Sequence, residues 1–460
     1  MEAVIAQTEV RRSYLSRLTG FFVYLFERVM PDPFVFAVIL TILVALLAKA
    51  LVPATSAGAI ALAWYNGIFN IFTFGFQMVL IVVTGYSLAS SPLVHSWLEK
   101  AASIPKTPRS AVSLTIVVGM MASWLNWGFG LVTAALLARE IAKRVRMDFG
   151  WLVAAAYTGF VISTEGLSGS IVLSQATPGS TLNLVEKIAG HGLSLRETVF
   201  ARFTLLPELV LLIALPLIYR WLEPPQEQST FADPEKLRTE DQRKPADKRK
   251  TLGSALDNAW ILNVTLAACG AAALAYLWHS KGFTLELNSM IMICLLLGLL
   301  CHWRPVAYVD AVKNAARITG PLVLQYPLYG GIMGIMTATG LAGVISKAFL
   351  AFSTSLTLPF WTYMSSLVIT LFIPSGGGHW AVQGPFVLPA AKELHASLAG
   401  TTMAVAMGES VANMIQPFFA LPILAIAGIP MRRMMGFMVI TFLVALVAFG
   451  VSLLFLLPRT

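Results

Sequence analysis

The sequence predicts an all-α polytopic membrane fold of two inverted-topology repeats, each containing a re-entrant hairpin and a broken transmembrane helix. Three observations carry that expectation. Composition is the first: 57% of 460 residues are hydrophobic, 12% are charged, and mean hydropathy is +0.75, which is not a soluble balance. Charge distribution is the second: 8 of the 55 charged residues fall in 1–32 and 16 in 220–257, leaving 31 for the other 390 positions. Long apolar segments follow, and a soluble multidomain enzyme is excluded. The third is that polar, Gly-containing runs interrupt those segments at corresponding places in the two halves.

Residues 1–32 read as a cytoplasmic, interfacial amphipathic N-terminus. Tyr14, Leu15, Leu18, Phe22, Leu25 and Val29 recur at helical spacing opposite Arg11, Arg12, Arg17 and Arg28. No cleavable signal peptide is expected, because the first apolar run starts only at Phe34 and no suitable small-residue site follows it. The first repeat, 33–221, supplies apolar spans near 34–52, 68–90, 151–175 and 198–219, each close to the roughly 20 residues that cross a bilayer. Residues 222–258, rich in Pro, Gln and both charge signs, read as a charged cytoplasmic linker. A connecting transmembrane helix over 259–281 reverses the second repeat, 282–460, whose spans lie near 285–303, 318–341, 398–430 and 434–457.

Orientation follows from the loops. Segments 95–109, 139–148, 220–257, 302–317 and 432–433 are basic, whereas 53–67 has no Lys or Arg, so the basic loops and the N-terminus belong in the cytoplasm. The count closes only if 111–138 enters from the cytoplasm and returns there, since Lys106, Arg109, Arg139, Lys143, Arg144 and Arg146 flank it. Counting onward, 361–391 enters and returns on the outside. The two hairpins point at each other. Scattered in this way, the basic residues behind the net charge of +9 describe topology, and no nucleic-acid partner is expected. Cys269, Cys294 and Cys301 sit in apolar runs without ligand spacing, so neither a zinc site nor a disulfide framework is expected, and no cofactor is implied.

Shifting the chain by 248 positions sets Asn66 on Asn314, Gln77 on Gln325, and Gly128-Phe129-Gly130 on Gly376-Gly377-Gly378. Paired interrupted segments in inverted halves are the sequence mark of a transporter site at the membrane midplane. The first tip reads Ser123-Trp-Leu-Asn126-Trp127-Gly128-Phe-Gly130, and the first broken span Ser163-Thr164-Glu165-Gly166-Leu-Ser168-Gly169-Ser170. Their mirror pair is Pro374-Ser375-Gly376-Gly377-Gly378-His379-Trp380 with Gln383, and Gly408-Glu409-Ser410-Val-Ala-Asn413-Met-Ile-Gln416-Pro417. Irregular backbone at membrane depth survives only where protein or a wet cavity satisfies it. Free N–H groups at the half-helix starts attract a carboxylate.

No Lys or Arg lies near any tip, which suits a small, singly charged substrate held by N–H, hydroxyl and amide donors. The expected substrate-binding residues are Asn126, Gly128, Ser375, Gly376, Gly377, Gly378, Trp380, Gln383, Asn413 and Gln416. Trp124, Trp127, Phe129 and Trp380 either sheath a short alkyl chain or fill space between helices. Glu165 and Glu409, with Ser168 and His379, are the candidates for a coupling proton or Na+; the alternative for each acid is a neutral side chain bonded to a helix end. Glu208 and Arg202 are expected to pair or snorkel. GxxxxGK[ST] is absent, which argues against an ATP-driven pump.

The runs Pro374-Ser-Gly-Gly-Gly-His-Trp-Ala-Val-Gln-Gly-Pro385 and Gly408-Glu-Ser-Val-Ala-Asn-Met-Ile-Gln-Pro-Phe-Phe-Ala-Leu-Pro422, with Met30-Pro-Asp-Pro33 before the first span, resemble the short-chain fatty acid transporter family (AtoE type). The resemblance covers nearly the whole chain. It implies uptake of acids such as butyrate or acetoacetate across the bacterial inner membrane, and membership of the wider ion transporter superfamily with paired hairpins and elevator motion. Glu409 stands where relatives are expected to carry Asp, and His379 where they are expected to carry Gln, so the coupling ion stays open between H+ and Na+. The leading expectation is a secondary active carrier of short-chain monocarboxylates, with a C4-dicarboxylate or other organic-anion carrier as the alternative. Membrane lipid is the expected surrounding partner, with a homodimer as an open expectation. A lipid-modifying enzyme would need a nucleophile, base or metal cluster that the sequence does not display. A passive anion channel would want cationic rings, which the tips lack.

Overall fold

The structure, a computed structural model, describes residues 33–224, 229–235, 237, 251–283, 285–371, 373–416 and 418–458. The amphipathic segment expected over 11–30 and about half of the charged linker lie outside them. Among the described residues every regular element is helical, and the one β-type feature is an isolated bridge between Asp148 and Phe231.

The first half runs α1 (Pro33–Leu51), α2 (Ala57–Asn70), α3 (Phe72–Ala89), α4 (Pro92–Ala102), α5 (Pro108–Leu125), α6 (Trp127–Ala142), α7 (Phe149–Thr158) with a 3-10 turn over Gly159–Ile162, α8 (Ser170–Ala176), α9 (Leu184–Ala189) and α10 (Arg202–Tyr219). A short α11 (Leu252–Asp257) and the long α12 (Trp260–Lys281) lead to the second half. There follow α13 (Leu287–His302), α14 (Pro305–Ala316), α15 (Gly320–Ala338), α16 (Leu341–Phe352), α17 (Leu358–Thr370), α18 (Gly376–Glu393), α19 (Leu398–Asn413), α20 (Ala420–Ala427) and α21 (Arg432–Phe455). Starts at 57 and 305, and at 72 and 320, are each 248 residues apart, the shift found in the sequence. The departure is segment 177–201 with α9, an insertion that has no counterpart between α20 and α21.

Local chemistry sets the boundaries. Ser91 and Thr107 cap α4 and α5 ahead of a proline in the first turn, and Thr107 forms a reciprocal capping box with Ser110. Asp148 caps α7 by accepting from Trp151 N at 2.7 Å, while its other oxygen accepts from Thr230 N at 2.7 Å. The start of the expected linker is therefore docked on α7 over 229–235, not free. Basic residues do close the base of α5–α6: buried Glu140 is bonded by Lys143 and by Arg144 at 2.8 Å, and Arg139 donates at 2.6 Å to the Ile426 carbonyl, neutralising the C-terminal end of α20.

Among the described residues, six helical stretches are long and apolar enough to cross a membrane, Phe34–Leu51, Ala57–Ala89, Pro108–Leu125, Arg202–Tyr219, Trp260–Ser280 and Arg433–Phe455, and the pair Gly320–Ala338 and Leu341–Phe352, bent by 76°, passes the same test together. The molecule is thus a multi-pass membrane protein. Two sequence expectations need correcting. Residues 57–67, read as loop, are helical, because Gly67 and Ala63 serve a tight crossing with α15: a Cβ on Gly67 would collide with the Gly330 carbonyl. The polar break expected from Gly408 begins later, since α19 continues through Glu409 and Ser410 to Asn413 and the interruption spans 414–419.

Packing gathers most of the helices into two large apolar cores, with a third, small cluster where the start of α17 meets the end of α18. One gathers side chains from α4–α7, α10 and α19–α21, and the other from α1–α3, α8, α9, α13–α15 and α18. In the second core the halves exchange partners: α1 and α2 lie on α15, and α13 and α14 lie on α3. The inner hairpin legs bridge to this frame, α6 on α3 and α18 on α15, so both tips are held beside the frame helices.

Candidate functional site

The first hairpin reverses at Asn126 alone, the single non-helical residue between α5 and α6. The second reverses over 371–375 and starts α18 at Gly376, and α17 and α18 lie antiparallel because Thr370 meets His379 while Thr362 meets Gln383. Both tips converge with both breaks on a small enclosed cavity. Its wall comes from Trp127 and Ser375 at the tips, Ser163, Thr164, Gly169 and Ser170 in the first break, Glu409 and Phe419 around the second, Phe160, and Met78, Leu322 and Tyr326 of the frame. It encloses about 20 Å³ of solvent space, room for about one water.

The polar groups are unevenly satisfied. Ser375 Oγ donates to the Tyr326 hydroxyl at 3.0 Å. Ser163 Oγ, Glu409 Oε2 and Asn413 Nδ2 are buried and complete no hydrogen bond with a described residue. A Cβ on Gly376 would strike Ser170 Oγ and come within 2.8 Å of Glu409 Oε2, so only glycine lets the start of α18 approach that carboxyl. Glu165, fully buried beside this wall, accepts from Ser410 Oγ at 2.8 Å and Thr164 Oγ1 at 3.2 Å; Thr164 also contacts Ser410 and donates to the Ala406 carbonyl at 2.8 Å. Glu165 is thereby tied across the repeats to Ser410, the residue that follows Glu409 on α19. Among the described residues, no group of three or more His, Cys, Asp or Glu could hold a metal ion.

Other expected residues serve the walls. Asn126 caps α6 by accepting from Phe129 N at 2.9 Å, and Ser168 Oγ accepts from Trp127 N at 2.8 Å, tying the first tip to the first break. Gly377 and Gly378 sit against the rings of Phe74 and Tyr329. His379 is buried inside its hairpin between Thr370 Oγ1 at 3.1 Å and Gln383 Oε1, and Gln383 Nε2 donates to the Thr362 carbonyl at 3.0 Å. Trp380 donates to the Leu182 carbonyl at 3.0 Å, and Gln416 to Asn413 Oδ1 at 2.6 Å. Gly128 faces a second, apolar cavity. Glu208 does not pair with Arg202: it is buried and accepts from Trp124 Nε1 at 3.1 Å, while Arg202 is exposed.

Comparison with known proteins decides the family, since residues 14–456 match the family model described as short chain fatty acid transporter. The chain belongs to the short-chain fatty acid transporter family. It is 40% identical over 441 residues to a provisionally named short-chain fatty acid transporter of Escherichia coli (strain K12), covering 95% of this chain and 99% of that one. A likewise provisionally named protein of Haemophilus influenzae is 38% identical over 448 residues, covering 96% and 100%. Membership makes the protein a transporter. The fold is also similar to two solved structures. The Alcanivorax borkumensis YdaH transporter, described as having an unusual topology, superposes with TM-score 0.62 at 17% identity, covering 92% of this chain and 98% of that one. MtrF of Neisseria gonorrhoeae, described among antimetabolite efflux pumps, superposes with TM-score 0.61 at 15% identity, covering 95% and 97%.

Besides Leu322, four cavity residues of this family member were not singled out from sequence: Tyr326, Phe419, Phe160 and Met78. The repeat carries a signal for two of them, because Met78 and Tyr326 stand 248 apart, one residue after the matched Gln77 and Gln325. The others are aromatic residues in apolar surroundings, which sequence does not separate from core.

Proposed function

We propose that the protein is a secondary active transporter that takes up short-chain monocarboxylates, acetoacetate- or butyrate-like, across the bacterial inner membrane. The observation that carries this reading is the cavity where both hairpin tips and both breaks meet. It is lined by hydroxyls, a helix start and one carboxyl, and has no Lys or Arg. A single carboxylate can be bound there by Ser375, the Tyr326 hydroxyl and the first N–H groups of α18. A second carboxylate would find no cation, which disfavours the dicarboxylate alternative. At about 20 Å³ the cavity is too small for a four-carbon acid, so this conformation is closed and transport requires its walls to move. Two re-entrant hairpins of inverted topology, carried past the frame of α1–α3 and α13–α15 in an elevator motion, would move them together.

Glu409 is assigned the coupling role, with Glu165 as its partner. Its carboxyl faces the cavity and the start of α18, so it is exposed to whatever binds there. Counterflow in proteoliposomes tests the substrate: labelled acetate, butyrate and acetoacetate should exchange while succinate does not, and exchange of succinate alone would overturn the assignment. Glu409→Gln should abolish gradient-driven accumulation of butyrate while sparing one-for-one exchange, because exchange needs no net movement of the coupling ion. A pH dependence lost in this variant identifies H+, and a lost sodium dependence identifies Na+. Normal accumulation by Glu409→Gln removes the residue from coupling.

A further inference from the structure

Beside the central cavity lies a larger one of about 300 Å³, within the range of small-ligand pockets. Its wall is apolar except for the Tyr86 hydroxyl and Arg317, which stands between α14 and α15. Arg317 is exposed and makes no hydrogen bond or ion pair with any described residue. Trp127, Leu322 and Phe419 line both cavities, so these three side chains are the partition between them. The partition is aromatic and edge-packed, with the Trp127 and Phe419 ring centres 5.7 Å apart and Phe160 backing Phe419 at 5.2 Å.

We propose that this second cavity is an antechamber that binds the monocarboxylate itself, with its alkyl chain against the apolar wall and its carboxylate on Arg317. An apolar chamber with one unpaired cation complements an amphiphilic anion of about four to eight carbons, and suits neither a dianion nor a polar solute. Placement one side-chain layer from the central site makes it a staging position, and Trp127 with Phe419 is the door that must swing for transfer. The sequence sets the Arg317 loop on the cytoplasmic side, so in uptake the antechamber is used on release. This inference deepens the proposed function and rests on it for the identity of the ligand.

The test is calorimetric titration of the full chain in lipid nanodiscs with acetate, butyrate, hexanoate and octanoate, alongside butyrate exchange in proteoliposomes. Burying successive methylenes should tighten binding by about fourfold each. Leu421→Trp fills the chamber from its exposed side and should flatten that chain-length dependence; Leu421→Phe, a milder change, should flatten it partly. Arg317→Gln should weaken every acid by about three- to fivefold, modest because the pair is exposed, with Arg317→Lys restoring it. Chain-length dependence untouched by both Leu421 variants overturns the antechamber. So does native mass spectrometry showing a phospholipid lost from Leu421→Trp while acid affinities stay the same. Expected binding without butyrate exchange leaves the antechamber standing and removes the transport reading, whereas exchange without chain-length dependence does the reverse.

Discussion

Ser375 and Asn126 occupy matching tips but make different bonds. Asn126 spends its side-chain oxygen on the Phe129 amide, whereas Ser375 makes no cap and points its hydroxyl at Tyr326 on the cavity wall. Ser375→Ala and Tyr326→Phe should therefore raise the dissociation constant for butyrate, since a hydrogen bond to a charged group is worth about 1.5–3 kcal/mol, or roughly ten- to a hundredfold. Asn126→Ala should instead cost about 0.5–2 kcal/mol of stability through the lost cap, seen as a lower melting temperature with butyrate affinity retained. Butyrate titration and thermal unfolding of the three variants separate these outcomes. Sequence could place both residues at tips, because Gly-flanked polar runs in apolar surroundings are conspicuous. It could not say which would be consumed by capping, because that depends on whether an amide N–H or a frame hydroxyl lies closer.

Helix positions were readable where apolar length alone defines the element, as for α1, α10, α12 and α21, whose observed limits lie within four residues of the expected spans although none of them has a side-chain cap among the described residues. Reading failed for α2. Its Gly58, Trp64, Asn66 and Gly67 dilute the hydropathy, and the helix is stabilised by close packing on α15 more than by apolar length. Backbone proximity at Gly67 makes this testable on one helix. Gly67→Ala drives a methyl into the Gly330 carbonyl and should destabilise by about 1–3 kcal/mol, while Gly58→Ala meets nothing within 4 Å and should be neutral or gain up to about 1 kcal/mol of helix propensity. Melting temperatures in detergent should fall for the first only. Equal behaviour of the two would mean that the α2–α15 crossing is loose.

For the whole molecule, the strongest sequence argument was the loop charge count, and it makes a claim that helix lengths cannot settle. Pro108–Leu125 is long enough to cross a bilayer by itself, yet the loop charges lead to the expectation that α5 and α6 begin and end in the cytoplasm. The reversal at Asn126 permits that, and the base of the hairpin carries the Arg139, Lys143 and Arg144 cluster expected of a cytoplasmic edge. The corresponding base near Glu393 should then face outward. With Cys269, Cys294 and Cys301 replaced by Ala, Ser103→Cys and Glu393→Cys place single thiols at exposed positions by the two bases. In right-side-out spheroplasts, a membrane-impermeant thiol reagent should label Glu393→Cys at once and Ser103→Cys only after permeabilisation. Because the repeats are related by order and spacing, labelling of both from the outside would leave the two halves parallel. The hairpins could not then enter from opposite faces, and one site could not be offered to the two sides in turn by carrying both tips past a fixed frame.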